Sequence, residues 1–357
     1  MDLPRIFGHH INLKKGKKRI LFVSSSFITN PENQVGLDYF SILANHLVAK
    51  FQNDYDVALK LPSGNKSDDA NEQRELLAKG IQDIREYAAI ILSPMQTDLL
   101  KDEVTKYLEH ALCARSSGSN HPPLLTIDKD FTSHDDGWER WGGAPPSVVA
   151  DGYFGGQLAA QALEIALRER SKPLRCYVVL GGEGSESRFN GFQSRASRLG
   201  ISIGSNKDDP VLDFSQNEAE KFMDRTFGKE EEKSPYYDGY FCCNDEMAIG
   251  VRNHLVKSLG SDEKPPKVVG FDGTGAVAEK VKNEDQFLIG TIDVRLKTQV
   301  EKLAEMLGLL LRGERPLCSS WSAHPNPPKN LKVPPCFIGV KEIEDRVSPL
   351  QESGERS

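Results

Sequence analysis

From about residue 19 onward, short apolar runs alternate along the chain with stretches whose apolar residues recur every three or four positions. The runs RILFVSS, DVALKL and AAIILSP predict buried strands, and the stretch 36–51 predicts an amphipathic helix between the first two. Strands that are apolar throughout and that alternate with helices are typical of a parallel sheet covered on both faces.

This alternation is interrupted once, at residues 129–147, where Gly, Pro, Asp and Trp replace any hydrophobic period. It then resumes and continues to a long helix predicted at 297–311. The proline-rich residues 312–349 are predicted to be extended and residues 350–357 to form a frayed tail. The sequence therefore predicts an α/β protein with two Rossmann-like lobes, each built on a parallel sheet. The carboxyl ends of such strands border the crevice where a ligand is expected.

Four of the predicted strands are followed by a polar or charged side chain, namely Asp128, Arg188, Asn244 and Asp272. Each of them alone is equally well explained by a helix cap or a salt bridge, and Asp245 is a good N-cap residue for the helix that follows it. Together they suit a different role, because carboxylate and guanidinium groups each make two coplanar hydrogen bonds that match neighbouring hydroxyls. The pattern favours a polyhydroxylated, neutral ligand.

Composition excludes several other classes of protein. The 357 residues are 38% hydrophobic and 27% charged, which is typical of a globular protein with a core of its own. The net charge of −7 argues against direct binding of nucleic acid, and no apolar run approaches the ~18 residues that a membrane span needs. The six cysteines lack the spacing of a zinc site or a disulfide scaffold, so no metal or other cofactor is expected.

The first 22 residues contain a basic run but no apolar segment of the kind that follows the charges in a secretory signal. The sequence as given is therefore expected to be cytoplasmic. An N-terminus that lies further upstream would make it periplasmic.

Several segments, in this order along the chain, resemble the type I periplasmic binding proteins, specifically the sugar-binding set related to ribose- and galactose-binding proteins and to LacI-type effector domains. The most specific segments are VVADGYFGG, GGEGSESRFNGF, CCNDEMAIG and VVGFDGTG, and the resemblance covers about residues 19–345. It implies that Asp128, Arg188, Asn244 and Asp272 contact the sugar.

The resemblance also implies a chain that crosses three times between two hinged lobes, which close around the ligand. The expected segments are an N-terminal tail at 1–18, a first lobe at 19–128 plus 293–325, a second lobe at 129–292 plus 326–345, and a C-terminal tail at 346–357. An ABC permease or a signalling protein is the partner that such a protein implies, and a homodimer is left open. No membrane insertion is expected.

Two positions depart from the family pattern. The loop after the first strand reads FITNPENQ, with Asn30 where an aromatic residue is expected to stack on the sugar. The polar residue expected near the end of LIGTI is replaced by Val294, with Asp293 beside it, so Asn30 and Asp293 are added as candidate ligand-binding residues. Trp138 or Trp141 in the irregular segment could supply the stacking ring instead, although paired tryptophans more often anchor packing.

Two other functions are alternatives to ligand binding by a solute-binding protein. The first alternative is the effector-binding core of a LacI-type transcriptional regulator that lacks its DNA-binding domain, because only 18 residues precede the first predicted strand. An NAD-dependent dehydrogenase is suggested by GTGAVA with Asp293 twenty positions after Gly273, but Asp272 would place a negative charge against the pyrophosphate. The histidines are dispersed, and neither a nucleophile elbow nor a P-loop is present, so no enzymatic activity is expected.

Overall fold

A computed structural model describes residues 17–24, 34–62, 69–117, 121–131, 144–171, 173–205, 209–227, 236–259, 264–312 and 330–353. The chain forms two compact units, one comprising 1–26, 44–147 and 300–330, and the other comprising 27–43, 148–299 and 331–357. Two six-stranded sheets account for the strands of the described residues. The predicted class, two α/β lobes with mainly parallel sheets, is confirmed.

The first sheet has the strand order β11-β5-β4-β3-β1-β2. Its strands are β1 (Lys18–Val23), β2 (Tyr55–Lys60), β3 (Tyr87–Leu92), β4 (Leu124–Ile127), β5 (Ser147–Ala150) and β11 (Asn330–Val333). The helices that follow its first strands are α1 (Gln34–Phe51), α2 (Asp69–Gln82) and α3 (Thr97–Ser116). The strands β1 to β4 pair in parallel, so their carboxyl ends lie along one edge. Leu21, Ile90 and Leu92 on one face of the sheet pack with Leu77 of α2 and Val104 of α3.

The second sheet has the order β12-β10-β9-β8-β6-β7, and only β12 is antiparallel to its neighbour. Its strands are β6 (Leu174–Val179), β7 (Ile201–Ile203), β8 (Gly239–Cys242), β9 (Lys267–Asp272), β10 (Leu288–Asp293) and β12 (Cys336–Gly339). The remaining helices are α4 (Gly152–Leu167), α5 (Ser185–Leu199), α6 (Gln216–Thr226), α7 (Asp245–Leu259), α8 (Gly275–Lys282), α9 (Leu296–Leu311) and α10 (Lys341–Ser353).

Two glycines allow α4 and α5 to approach closely. A Cβ atom on Gly156 would lie 2.0 Å from the carbonyl oxygen of Arg188, and one on Gly191 would lie 1.8 Å from that of Tyr153. Neither backbone can move away cheaply, so only glycine fits at these positions. The glycines of the segments DGYFGG and FNGF thus set the position of α5, the helix that carries Arg188.

The end of the chain differs from the sequence expectation. Residues 312–349 were predicted to be extended, which agrees with β11 and β12 but is wrong for α10. The buried residues Ile343 and Val347 lie four positions apart, which is helical spacing, and Glu342 and Glu344 lie in the first turn of α10, where acidic residues are favoured. The nearby prolines obscured this short helical signal.

The units change over at residues 147 and 299, whereas the sequence placed the corresponding boundaries at 128 and 292. Asp293 belongs to the second unit because β10 pairs with β9 and β12 up to that residue. The lobe boundaries drawn from the sequence stay a prediction. No helix in the described part of the chain is long and apolar enough to span a membrane.

Candidate functional site

The polar residues of the second unit collect where its parallel strands end. We call this region the second strand-end edge, and it comprises residues 180–188, 213–214, 243–245, 272–274 and 293–295. In the register of β9 with β10, Asp272 and Asp293 are direct neighbours. The structure therefore brings four of the six predicted site residues, Arg188, Asn244, Asp272 and Asp293, to one edge of one unit.

Arg188 is held in place by three groups of the same unit. Its Nη1 atom donates a hydrogen bond to the carbonyl oxygen of Cys243, and the same atom lies 3.8 Å from Oδ1 of Asp272. The guanidinium carbon lies 3.9 Å from the centre of the Phe271 ring, within the range of a cation–π contact. The side chains of Arg188 and Asp272 are each 17% exposed. A guanidinium has five N–H donors, so a group fixed in this way can still donate to a ligand.

Asn244 makes two hydrogen bonds within the protein. Its Oδ1 atom accepts from the backbone N–H of Met247 at 2.9 Å, and its Nδ2 atom donates to the carbonyl oxygen of Phe214 at 3.0 Å. The interpretation of Asp245 as the cap of α7 is wrong, because Asn244 bonds the free N–H of the first turn. Asn244 is 7% exposed, and its predicted contact with a ligand stays a prediction.

Asp245 is fully buried and accepts three hydrogen bonds from two other segments. Its Oδ2 atom accepts from the backbone N–H of Thr274 at 2.7 Å and from Oγ1 of Thr274 at 2.8 Å, and its Oδ1 atom accepts from Oγ1 of Thr291 at 2.6 Å. Burial raises the pKa of this carboxyl to about 7, although the three hydrogen bonds and the charge of Arg188 act in the opposite direction. Sequence reasoning missed this cross-link because it treated Asp245 only as a capping residue.

Several residues at this edge have a backbone conformation that L-amino acids rarely adopt. The φ angle is 118° at Asp272, 56° at Arg295, 53° at Phe214 and 49° at Asp213. Such conformations cost of order 1–3 kcal/mol each and persist where the surrounding structure enforces them, often at binding sites. Their concentration at the second strand-end edge therefore marks it as a candidate functional site.

Phe214 is an aromatic residue of this edge that the sequence analysis did not single out. Its ring lies against Gly181 and Gly182, where an added Cβ would meet ring atoms at 2.2 Å and 3.0 Å, and the guanidinium carbon of Arg188 lies 5.9 Å from the ring centre. The side chain is partly exposed. The glycine-rich turn after β6 was a usable signal, because it leaves room for a ring, but the loop from β7 to α6 has no period that would have identified Phe214.

Asp293 ends β10 with its Oδ1 atom accepting a hydrogen bond from the backbone N–H of Arg295 at 2.7 Å. Its Oδ2 atom lies 3.9 Å from the Sγ atom of Cys336 on β12. Burial, followed by the negative charge of Asp293, raises the pKa of Cys336 to about 11, so this thiol stays protonated at neutral pH. Asp293 is thus an acceptor that the turn orients.

The first unit has its own polar strand ends. Asp128 directly follows β4, is partly buried and has a φ angle of 77°. Gln73 of α2 donates to the carbonyl oxygen of Ser93 and accepts from the N–H of Met95, each at 2.8 Å, and Lys129 donates to the carbonyl oxygen of Met95 at 2.6 Å. Of the other predicted candidates, Asn30, Trp138 and Trp141 lie outside the described residues.

The geometry does not favour the dehydrogenase alternative. A pyrophosphate at the GTGAVA turn would use backbone N–H groups at the start of α8. The N–H of Thr274 is instead bonded to the carboxylate of Asp245, and α8 has only eight residues. In the described part of the chain, no cluster of three or more His, Cys, Asp and Glu side chains could hold a metal ion.

Two α/β units, each with a mainly parallel six-stranded sheet, match the fold of type I periplasmic binding proteins. A family model described as a periplasmic binding protein domain matches residues 124–315, more than half of the chain, and the chain belongs to that family. The resemblance inferred from the sequence motifs is therefore confirmed. A comparison with curated protein sequences gave no significant match.

Solved structures share this fold over nearly the whole chain. A periplasmic solute-binding protein of an ABC transporter from Actinobacillus succinogenes 130z, with bound D-allose, is 20% identical, with 92% of this chain and 100% of that chain covered at a TM-score of 0.68. A solute-binding protein from Clostridium phytofermentans, with bound β-D-glucose, is 16% identical, with coverages of 95% and 98% and a TM-score of 0.68. The Caulobacter myo-inositol binding protein is 15% identical, with coverages of 93% and 97% and a TM-score of 0.65. At these identities the likeness establishes the fold.

Proposed function

We propose that this protein is a solute-binding protein for a neutral sugar or cyclic polyol. The observation that carries the proposal is the composition of the second strand-end edge, where Arg188 lies near both the carboxylate of Asp272 and the ring of Phe214. The guanidinium and the carboxylate are complementary to neighbouring hydroxyls, and an aromatic ring is complementary to the apolar face of a sugar. Asp293 adds a second carboxylate next to Asp272.

The comparisons support the same ligand class. The solved structures described above hold D-allose, β-D-glucose and myo-inositol, all of which are neutral ring compounds with several hydroxyls. We extend that class to this chain because its family and its site chemistry agree with it. Asp128 and Asn244 remain proposed contacts, and Asn30 is a further one from the sequence pattern.

Membership of this family also indicates which partner the protein has and whether it converts its ligand chemically. Proteins of this kind deliver a solute to an ABC transporter, and we propose that role here, without a chemical reaction on the ligand. The expected cellular compartment for that role is the periplasm. Hinge closure, a homodimer and a signalling partner stay predictions.

The test is titration calorimetry of the purified chain with D-allose, D-glucose and myo-inositol, together with thermal unfolding in their presence. A ligand at about 100 times its Kd should raise the free energy of unfolding by about 2.7 kcal/mol. Arg188→Ala should lose the binding and the stabilisation. Arg195→Ala is the matched control, because Arg195 lies on the same helix and bonds Gln161 instead of the strand-end edge.

Binding of at least one of these compounds to the wild type and to Arg195→Ala, but not to Arg188→Ala, supports the proposal. Equal binding by both variants contradicts the proposed site. If a wider panel of sugars and polyols produces no heat and no shift in Tm, the ligand class is wrong, and stabilisation by NAD alone would revive the dehydrogenase alternative.

A further inference from the structure

The cross-link made by Asp245 joins three segments that are distant in sequence. Asp245 begins α7, Thr274 occupies the N-cap position of α8 after the turn that follows β9, and Thr291 lies within β10. All three side chains are buried, with Asp245 and Thr291 at 0% and Thr274 at 4% exposure. The carboxylate therefore connects the ends of three neighbouring strands from inside the unit.

Both threonines lie next to residues of the proposed site. Thr274 is two residues after Asp272, and Thr291 is two residues before Asp293. The hydroxyl of Thr291 also accepts a hydrogen bond from the N–H of Gly273 at 3.2 Å. A continuous set of bonds thus runs from Asp245 through Thr291 to the turn that carries Asp272.

That turn is closely packed against the end of β10. Gly273 has a φ angle of 74°, and a Cβ added there would lie 2.7 Å from the Cα atom of Asp293. Asp272 also has a positive φ angle, so this turn has two consecutive residues in an unfavourable or glycine-like conformation. Such a turn keeps its conformation only if hydrogen bonds from other segments hold it. The bonds from Asp245 and Thr291 are placed to do so.

The protein also makes room for the carboxylate. A Cβ on Gly270 would lie 2.1 Å from Oδ1 of Asp245, so β9 has no side chain at the point where it passes this group. The capping of α7 does not require Asp245, since Asn244 performs it. Removing a carboxylate from water costs free energy, so an apolar side chain would fill this space at a lower cost. The buried carboxylate of Asp245 therefore indicates a role other than packing.

We propose that Asp245 is a positioning residue, which acts through Thr274 and Thr291 to hold Asp272 and Asp293 in the orientation that binds the ligand. The predicted effect of Asp245 on ligand affinity rests on the proposed function. Its structural part, the fixing of the two turns, is independent of which ligand the protein takes.

The test compares Thr291→Val, Thr291→Ser and Val268→Ala with the wild type. Thr291→Val removes one hydroxyl at nearly constant volume, and Thr291→Ser keeps the hydroxyl. Val268→Ala is the matched control, since Val268 is a fully buried residue in the first half of β9, away from the turn, and its truncation lowers global stability only. Asp245→Asn is the fourth variant, because it keeps the shape but loses one of the two acceptor oxygens.

The first measurement is native-state hydrogen exchange without ligand. In Thr291→Val and Asp245→Asn, the amides of Gly273 and Thr274 should exchange about tenfold faster than the change in global stability predicts. In Thr291→Ser and Val268→Ala they should follow the global change alone. Unchanged protection of these amides in Thr291→Val overturns the positioning role.

The second measurement is the Kd for D-allose, D-glucose and myo-inositol. Thr291→Val and Asp245→Asn should bind these compounds about tenfold more weakly than Val268→Ala does, even where the variants have the same Tm. Thr291→Ser should bind them with the affinity of the wild type. Loss of affinity in Val268→Ala to the same degree would mean that stability alone controls binding, and would overturn the inference. If the wild type binds none of the three compounds, the proposed function fails, and hydrogen exchange still decides the positioning role.

Discussion

The two units end their parallel strands differently. In the second unit the buried polar groups at the strand ends bond to one another, as Asp245 does with Thr274 and Thr291. In the first unit, the hydroxyls of Ser24, Ser93 and Thr126 lie at or next to the ends of β1, β3 and β4, and they are buried with no hydrogen-bond partner among the residues that the structure describes.

The two edges differ in how firmly their side chains are held in position before a ligand binds. A buried polar group without a partner costs about 1–3 kcal/mol, whereas a bonded network fixes the groups next to it. The second strand-end edge is therefore pre-organised, and it carries Arg188, Asp272 and Asp293. The first unit has the same strand order, but the bonds of Gln73 and Lys129 go to backbone atoms of the loop after β3, and Asn330 of β11 donates to Oδ2 of Asp130 after β4.

The largest expected effect comes from filling the space that the Asp245 network needs. Gly270→Ala would place a methyl group 2.1 Å from the carboxylate of Asp245, so we expect a loss of about 3 kcal/mol or more in the free energy of unfolding. Gly308→Ala on α9 is the control, since the nearest atom to its Cβ is the end of the Arg312 side chain at 3.5 Å. That change should be neutral or stabilising by up to about 1 kcal/mol in urea unfolding. Similar losses in both variants would contradict the tight packing at Gly270.

A second prediction concerns pH. Burial raises the pKa of Asp245 above its ordinary value of 3.8 to about 7, while Arg188 of α5 is the charged group that acts on it and Cys242 of β8 is the neighbouring titratable group. A raised pKa favours the protonated form in the folded state. The contribution of the Asp245 carboxyl to the free energy of unfolding is therefore present in full below pH ~4, and it is lost as the pH rises through about 7.

Asp245→Asn has no carboxyl to titrate, so the stability difference between wild type and variant should change with pH. We expect the wild type to lose roughly 2–4 kcal/mol relative to the variant between pH 4 and about 8, as measured by urea unfolding at each pH. A constant difference over this range would mean that the carboxyl titrates normally.

The third prediction tests the comparison of the two edges directly. Thr291→Val should cost about 1–3 kcal/mol because it takes a donor from the carboxylate of Asp245. Thr126→Val, near the end of β4 in the first unit, should be neutral or stabilising, because within the described part of the chain this buried hydroxyl has no hydrogen-bond partner. Equal losses in urea unfolding would remove the distinction between the edges.

The smallest expected effect concerns backbone strain. Asp272→Gly and Glu284→Gly both replace a residue at positive φ, 118° and 57°, with the residue that tolerates it best. Glu284→Gly should gain about 0.5–1 kcal/mol of stability and leave sugar affinity unchanged. Asp272→Gly should lose the affinity without a comparable loss in Tm, since relief of strain offsets its ion pair with Arg188. A fall in Tm that matches the loss of affinity would contradict this assignment.

Much of this arrangement could be predicted from the sequence. The alternation of strands and helices, with polar residues after the strands, predicted two α/β units and placed Arg188, Asn244, Asp272 and Asp293 at strand ends. Parallel pairing brings such ends to one edge, so the local pattern was sufficient for these residues. The helix α10 was missed because prolines surround a short signal.

Other features depend on contacts between distant parts of the chain. The carboxylate of Asp245 meets Thr274 and Thr291, which are 29 and 46 residues further on, and Phe214 contacts glycines that precede it by more than thirty residues. The role of a polar side chain as cap, cross-link or ligand contact depends on which donors the folded chain places around it. The sequence by itself determined which residues reach the strand ends, because local periodicity sets the strands. Only the tertiary structure decided which of them bond to one another, because hydrogen bonds act over a few ångströms between segments that the fold alone brings together.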